Sequence, residues 1–274
     1  MSTFGRQSVF LDDEGSFNLD NKNLKKIGFK DLLPYKLIDK NELKNEYYMA
    51  SREIWTYKGD KGYVRVKEEV TCKMHKFETT MRISKAALMN DTLIDDNVKY
   101  DLALNLMKNV YYSIVFGKTS INMEGVATLS GRTKLTSTSF SSLTAGIKLR
   151  QKVVEAKLQS EEHQERLEGF DGSYRLLLPY QFSHLLLELY SEPQYVTIKD
   201  SLKRDFNIVT SLFKGLKHPV LYELNPKVMF VPILSKIYFS KFSLPTGDYI
   251  SALILAGIVH FRPKEVVEIT ISDS

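Results

Sequence analysis

The sequence predicts an α+β protein, because runs of strand-forming residues lie on both sides of a block with helical patterning. The strand-rich parts cover about residues 52–84 and 227–272, and no internal repeat relates them. The chain has 274 residues, of which 43% are hydrophobic, so it can bury a sizeable core. We therefore expect one large domain or two smaller ones.

Residues 1–45 differ from the rest of the chain. They are rich in Lys, Asn and Asp, and their hydrophobic residues stand singly without a sustained period. A segment of this composition cannot bury its own surface. We interpret it as an N-terminal arm that lies on another surface.

A β-hairpin is predicted at about residues 52–70, where two strand-like runs flank the sequence KGDKG. Glycine supplies the positive φ that a tight hairpin turn needs. The residues of the hairpin tip are Lys58, Gly59, Asp60, Lys61 and Gly62.

A third strand and the clearest helix follow. In the strand, residues 76–84 (KFETTMRIS), apolar and charged side chains alternate. The helix is capped by Asp95 or Asp96 and ends near Phe116 and Gly117. Its inward stripe has spacings of three and four residues and consists of Ala103, Leu106, Met107, Val110 and Ile114.

The block after residue 131 contains two more predicted helices with a buried strand, SYRLLL, between them. The first helix ends in a charged run before Gly169, and its predicted inward face is Phe140, Leu143, Ile147, Val154 and Leu158. The second, PYQFSHLLLELY, has Pro179 near its first turn and the predicted inward face Phe182, Leu185, Leu186 and Leu189. Turn signals then separate three strand-like runs, KVMFVPILSKIYFSKFSL, YISALILAGIVHF and EVVEITIS.

The patterns that carry catalysis are missing. The glycines of the loop at 114–131, Gly117, Gly125 and Gly131, are eight and six residues apart, whereas a phosphate-binding Walker loop needs four residues and then Gly-Lys-Ser/Thr. We interpret Gly117 as an ordinary helix-ending glycine. The histidines lack the spacing of metal ligands, and they are His75, His163, His184, His218 and His260. We expect no enzyme activity, cofactor or metal.

Charge and cysteine content set weak limits. The net charge is +5 and the pI is about 9.0, but 38 basic residues are interleaved with 33 acidic ones, so a polyanionic partner is permitted and not required. Cys72 is the single cysteine, which excludes an internal disulfide and suits a reducing compartment. The longest apolar stretch, at 249–261, is too short to cross a bilayer, and we expect a soluble chain made inside the cell.

The order of elements resembles that of the major capsid proteins of tailed bacteriophages, which have the Hong Kong 97-type fold, and of the related encapsulin shell proteins. Three stretches carry the resemblance: KNVYYSIVFGKTSINMEGVATLSG resembles the end of the family's spine helix, GSYRLLLPYQFSHLL the start of its axial-domain core, and LAGIVHFRPKEVVEI its closing strands. The similarity covers nearly the whole chain.

The resemblance implies an N-terminal arm at 1–45, an extended hairpin loop at 46–75, a peripheral domain at 76–127 and 231–274, and an axial domain at 128–230. The loop at 114–131 would be the hinge between the two domains. The hairpin tip, Lys58–Gly62, would be an assembly site that lies across a neighbouring copy.

The implied function is self-assembly into the icosahedral shell that encloses the double-stranded DNA genome of a tailed phage. Implied partners are copies of the chain itself in hexamers and pentamers, non-specifically bound DNA, and scaffolding, portal and decoration proteins, without a membrane. The implied location is the virion, after synthesis in the bacterial cytoplasm.

Two other functions stay open. An encapsulin-like shell would enclose a cargo enzyme, and it predicts an apolar groove near the N-terminus, for which KNLKKIGFKDLLPYKLI offers a weak helix with Leu24, Ile27 and Leu32. A nucleic-acid-binding module is suggested by the pI and by LKKIGFK, and it predicts DNA binding by free monomers that falls steeply with salt.

Overall fold

A computed structural model describes residues 17–19, 32–89, 96–140, 144–162, 172–191 and 195–272. The helices are α1 (Lys85–Met89), α2 (Asp96–Phe116), α3 (Ala145–Glu162) and α4 (Ile198–Phe206). The strands are β1 (Phe17–Asn18), β2 (Tyr35–Ile38), β3 (Leu43–Lys44), β4 (Tyr47–Tyr57), β5 (Tyr63–Lys73), β6 (His75–Ile83), β7 (Thr133–Ser137), β8 (Tyr174–Pro179), β9 (Leu189–Ser191), β10 (Val196–Thr197), β11 (Ile208–Phe213), β12 (Val220–Glu223), β13 (Met229–Leu234), β14 (Lys236–Leu244), β15 (Gly247–Ala256), β16 (Val259–His260) and β17 (Val267–Ile271). The predicted α+β class is confirmed.

The larger of two hydrophobic cores lies between helix α2 and a sheet of long antiparallel strands. Strand β15 is central in this sheet, because it pairs with β14 along one edge and with β6 along the other. The predicted stripe of α2 faces the core, since Leu106, Met107, Val110 and Ile114 are at most 1% exposed. Helix α2 ends at Phe116, and the next residue, Gly117, has the positive φ of +74° that favours glycine after a helix.

The smaller core is built on a five-stranded sheet in the order β11-β8-β12-β17-β7. All six residues of β8 are buried, as predicted for SYRLLL. The cause is that both faces of the sheet are covered: Leu177 packs into the larger core, and Leu176 and Leu178 pack into the smaller one. Helices α3 and α4 cover the face of the smaller core.

The last strand links the two parts of the chain that the sequence assigns to different domains. Strand β17 pairs with β12 and with β7, so by hydrogen bonding it belongs to the five-stranded sheet. It lies, however, within the range 231–274 that was assigned to the peripheral domain. The division into domains stays a prediction. Strand β17 lies in the range assigned to the peripheral domain but is hydrogen-bonded to β7 and β12, which lie in the range 128–230 assigned to the axial domain.

The predicted arm is partly built into the core. Among its described residues, Leu32 and Leu33 are at most 1% exposed, and β2 pairs in parallel with β13. The hydroxyl of Tyr222 donates to the carbonyl oxygen of Leu32 at 2.6 Å. Residues 32–38 therefore belong to the larger core, because four consecutive backbone pairs join them to a buried strand.

The predicted inward face of the helix after residue 140 is wrong. Ile147 and Leu158 are 37% and 55% exposed, and Val154 is half-buried. The buried face contains small and polar residues that allow close packing, and it consists of Ala145, Gly146, Leu149, Val153, Ala156 and Ser160. The other two residues of the predicted face, Phe140 and Leu143, precede α3. Phe140 is buried. Leu143 and the charged run from 163 to Gly169 lie outside the described residues.

The element predicted as a helix after Pro179 is a 3₁₀ helix at Tyr180–Leu187. Leu185 and Leu186 are buried as predicted, and Phe182 is half-buried against the ring of Phe140 at 5.5 Å. The prediction that Leu189 faces inward is wrong. Leu189 lies in strand β9 and is 45% exposed, because the 3₁₀ helix ends before residue 188.

Candidate assembly hairpin

Strands β4 and β5 form one long antiparallel hairpin whose register runs from Tyr47↔Lys73 to Tyr57↔Tyr63. Each arm has 11 residues, which corresponds to a length of about 36 Å. The predicted hairpin at 52–70 is confirmed, and the structure extends both arms toward the core. The hairpin residues in the larger core are all near its base, and they are Tyr48, Ala50, Val70 and Cys72.

The tip has the predicted glycine turn. Gly59–Lys61 form a single 3₁₀ turn, and the amide of Lys58 donates to the carbonyl oxygen of Gly62 at 2.8 Å. Gly59 and Gly62 have φ values of +52° and +64°, which confirms the need for glycine at both positions. The charged side chains of the tip are exposed and form no ion pair with another residue in the described part of the chain. Its assembly role stays a prediction.

An ion-pair network fixes the middle of the hairpin, where Arg52 is the register partner of Glu68. The carboxylate of Glu68 accepts hydrogen bonds from Arg52 on β4 at 2.8 Å and from Arg262, before the last strand, at 2.6 Å. The guanidinium of Arg52 also lies 4.4 Å from the ring centre of Phe261, and its side chain is only 5% exposed. Because these charges are largely withdrawn from water, the network holds the hairpin in one direction relative to the core.

Cys72 forms a contact at the base of the hairpin, where its thiol donates to the carbonyl oxygen of Ile258 at 3.2 Å. Burial raises the pKa of the Cys72 thiol to about 12. The group is therefore a neutral thiol at physiological pH and a poor nucleophile. Cys72 packs in the larger core, where it is 5% exposed.

The outward face of the hairpin is amphipathic. It exposes large apolar side chains at alternate positions, namely Tyr47 (41%), Met49 (53%), Trp55 (42%) and Tyr63 (50%). Between them lie the ion pairs Glu53–Arg65 and Lys67–Glu69. The hydrogen bond from Lys67 lowers the pKa of Glu69. Sequence reasoning singled out the polar tip and missed this face, although the alternation of aromatic and charged residues in β4 was the signal for it.

The loop at 117–131 is a packed connection. A Cβ atom on Gly125 would lie 2.1 Å from the backbone nitrogen of Gly117. The hydroxyl of Thr128 accepts a hydrogen bond from the Gly125 amide at 2.8 Å, and Lys118 forms a β-bridge with Met123. The glycines thus allow two backbone segments to touch, which leaves no cradle for a phosphate between them.

The described residues lack two features that other functions would need. They contain no group of three or more His, Cys, Asp or Glu side chains placed to hold a metal ion. Within the same residues, no helix has the length and apolar character needed to cross a membrane.

Comparison with solved structures identifies the fold. The virus-like particle from Pyrococcus furiosus matches with a TM-score of 0.62 and 14% identity over 90% of this chain and 96% of that chain. The capsid of Myoviridae phage XM1 matches with a TM-score of 0.62 and 12% identity over 87% and 90%. The capsid of an empty GTA particle with C5 symmetry matches with a TM-score of 0.58 and 7% identity over 97% and 94%.

Neither a protein-family model nor a curated protein sequence matches this chain. The structural similarity nevertheless confirms the predicted fold: the chain has the Hong Kong 97-type fold that phage capsid and encapsulin-type shell proteins share.

Proposed function

We propose that this chain is the major capsid protein of a tailed phage, which assembles into the icosahedral shell around the double-stranded DNA genome. The observation that carries the proposal is the extent of the structural match, which covers 87% of this chain and 90% of the phage XM1 capsid chain. The capsid fold thus accounts for nearly all of the sequence.

Each predicted domain has its own proposed role in the shell. Residues 76–127 and 231–274 form the peripheral domain around α2, and residues 128–230 form the axial domain that meets its copies around five-fold and six-fold positions. The proposed arm at 1–45 is joined to this body by residues 32–38, which are part of the larger core, and the hairpin loop at 46–75 extends from it. The loop at 114–131 is the hinge between the two domains.

The hairpin is the surface best suited to a neighbouring copy. Its paired strands are about 36 Å long, with core contacts at their base, and its outward face presents rings that the described part of its own subunit leaves exposed. Each contact can be modest, because a subunit in a closed shell touches several neighbours and the contacts act together. The chain's proposed partners are therefore copies of itself in hexamers and pentamers, with scaffolding, portal and decoration proteins at specialised positions.

DNA is proposed as a non-specific partner inside the shell. The net charge of +5 favours weak attraction to phosphate, and a strongly basic wall would immobilise a genome that must leave. Empty shells should bind DNA weakly and without sequence preference. The proposed location is the virion, after synthesis in the cytoplasm of a bacterial host, and no catalytic role is proposed.

An encapsulin-like shell that encloses a cargo enzyme is the second candidate. It is favoured by the match to the Pyrococcus furiosus virus-like particle, at a TM-score of 0.62. Against it stands the segment predicted to line a cargo groove. Its described residue Leu32 is 1% exposed and belongs to the chain's own core, while Leu24 and Ile27 lie outside the described residues.

Negative-stain electron microscopy of the purified protein, combined with sedimentation, tests the proposal. We expect uniform hollow particles, and a monomer that persists at all protein and salt concentrations would overturn it. Particles isolated from the native source distinguish the two shells, since nuclease-protected genomic DNA supports the capsid and a co-purified enzyme supports the nanocompartment. DNA binding by free monomers that falls steeply with salt would instead favour the nucleic-acid-binding module.

A further inference from the structure

Helix α3 carries an apolar stripe that the described part of its own subunit leaves partly exposed. Ile147, Val154 and Leu158 are separated by seven and four residues, so they share one side of the helix. This side lies away from the buried face that contains Leu149 and Val153. Ile147 is 37% exposed and Leu158 is 55% exposed, whereas Leu149 and Val153 are fully buried. The helix is thus apolar on two sides and needs only one for its own core.

A second group of exposed apolar residues lies in the segment from the 3₁₀ helix to β10. Leu187 is 71% exposed, Leu189 is 45% exposed and Tyr195 is 81% exposed. Tyr195 also has a positive φ of +50°, which is uncommon for a bulky residue. The fold therefore holds a large ring in solvent on a strained backbone, an arrangement that contributes nothing to the stability of a single subunit.

The two groups adjoin. The carboxylate of Glu188 accepts a hydrogen bond at 2.8 Å from the amide of Gly146, the residue before Ile147. One turn further along α3, the guanidinium of Arg150 stacks at 4.0 Å on the ring of Tyr190. These contacts place the start of the stripe beside the segment around Glu188. We call the combined surface the α3 patch, and its residues are Ile147, Val154, Leu158, Leu187, Leu189 and Tyr195.

We infer that the α3 patch is a contact between copies of this chain, separate from the hairpin. The inference rests on the proposed self-assembly and names a surface for it. The six side chains expose on the order of 500 Å² together, which is near the largest apolar patch of a typical monomer. One partner in a standard protein interface contributes about 800 Å², so this patch with a polar rim is large enough to form one.

The charges around the patch favour a second copy over nucleic acid. Lys148 and Glu162 are exposed at opposite ends of the helix, and Lys152 pairs with Glu155 at 2.7 Å between them. A surface for DNA would carry an excess of cations and would lack exposed carboxylates. A rim of both signs around an apolar centre matches another surface of the same mixed composition, which every copy of the chain supplies.

Thiol labelling tests the inference directly, because the chain offers a clean background. Cys72 is the single native cysteine, it is 5% exposed, and its contact with Ile258 keeps it in the core. The variants Leu158→Cys and Leu187→Cys each place a new thiol on the α3 patch. Maleimide is added to free subunits and to assembled particles that sedimentation has separated. We expect labelling at least tenfold slower in particles than in free subunits, and equal rates in the two fractions would overturn the inference.

A charge variant gives an independent measurement. The double variant Leu158→Glu with Leu187→Glu changes exposed positions only, so circular dichroism and thermal unfolding of the free subunit should match the unaltered protein. We expect its particle yield to fall at least tenfold, while the matched control Leu158→Met with Leu187→Met assembles normally. Normal particles from the glutamate variant would refute the α3 patch and leave the proposed function standing, whereas absence of particles from the unaltered protein would refute both.

Discussion

Replacing Val110 with aspartate would place a carboxyl group at the centre of the larger core. Val110 is fully buried in the middle of α2, within the stripe that also contains Leu106 and Ile114. The helix packs across β6 and β15, so the new side chain would face apolar residues of the sheet. An ionised carboxylate without a partner is very costly in such surroundings, and the group would become protonated instead.

The cost can be worked out in two parts. Keeping an aspartic acid with a normal pKa of about 3.9 neutral at pH 7 costs about 4 kcal/mol. Losing the burial of the valine methyl groups adds about 2 kcal/mol. The total of about 6 kcal/mol is a large part of the 5–15 kcal/mol by which native domains are stable, so Val110→Asp should be unfolded or nearly so at pH 7.

Val110→Asn is the matched control, because it has the same size and loses the same apolar burial without carrying an ionisable group. The folded pKa of the introduced carboxyl group is raised, so its penalty is absent below about pH 4 and grows by about 1.4 kcal/mol per pH unit above that. In urea unfolding the two variants should be equally stable at pH 4, and at pH 7 Val110→Asp should be less stable than Val110→Asn by about 4 kcal/mol or unfolded before urea is added. Equal stability of the two variants at pH 7 would show that the stripe of α2 does not face the core.

Three further changes test other parts of the structure. Replacing residues 58–62 with a two-residue Asn-Gly turn should leave circular dichroism and thermal unfolding of the subunit nearly unchanged, while particle yield in sedimentation drops sharply. Normal shells from this variant would contradict the intersubunit role of the tip. An unfolded subunit would show that the tip is needed for the subunit's own core. Gly125→Ala brings a Cβ atom to 2.1 Å from the backbone nitrogen of Gly117 and should lower the free energy of unfolding in urea by about 3 kcal/mol. The matched control Gly59→Ala has open space around the new Cβ atom and should cost only about 1 kcal/mol for its positive φ. Equal costs would contradict the close packing of the loop at 114–131. Burial lowers the pKa of His260 below its usual 6.5, so the unfolded chain binds more protons than the folded one and the free energy of unfolding should fall as the pH drops below about 6.5. His260→Gln should flatten this dependence of stability on pH. An unchanged dependence would show that His260 does not cause it.

The elements that sequence reasoning predicted best are those with one dominant demand on their residues. The stripe of α2 is apolar because it faces a single core, and the glycines of the hairpin tip are required by backbone conformation alone. Strand β8 is likewise apolar throughout because both of its faces are covered. In each case the local pattern and the tertiary surroundings agree, which is why spacing and composition were enough.

The elements that were missed depend on packing detail that hydrophobicity does not record. The buried face of α3 includes Gly146 and Ser160, which would be assigned to solvent on composition, yet Ser160 donates to the carbonyl oxygen of Glu265 at 2.7 Å. Helix α4 has a high proportion of charged residues, and its start is set by the side chain of Thr197, which accepts a hydrogen bond from the amide of Asp200. A pattern search gives little weight to either feature.

The candidate site shows the same limit. The tip at 58–62 was found because its glycines can supply the positive φ of a tight turn. The network around Glu68, in contrast, joins β5 to Arg262, 194 residues further along the chain. No local pattern reports a contact over that separation. The anchor of the hairpin therefore becomes visible only when the fold brings Arg262 beside the middle of its strands.

The error at α3 has a physical explanation that connects the fold to assembly. Ile147, Val154 and Leu158 do have the spacing of a buried helical face, and the pattern was correctly recognised. A sequence records every surface that must be withdrawn from water, whether the partner lies in the same chain or in another one. When a helix must satisfy both kinds of partner, its interface with a neighbour is apolar and regular, while its internal face can use small residues such as Gly146 and Ala156 that permit close approach. On this view the exposed stripe of α3 is apolar because, in the proposed shell, a second copy covers it.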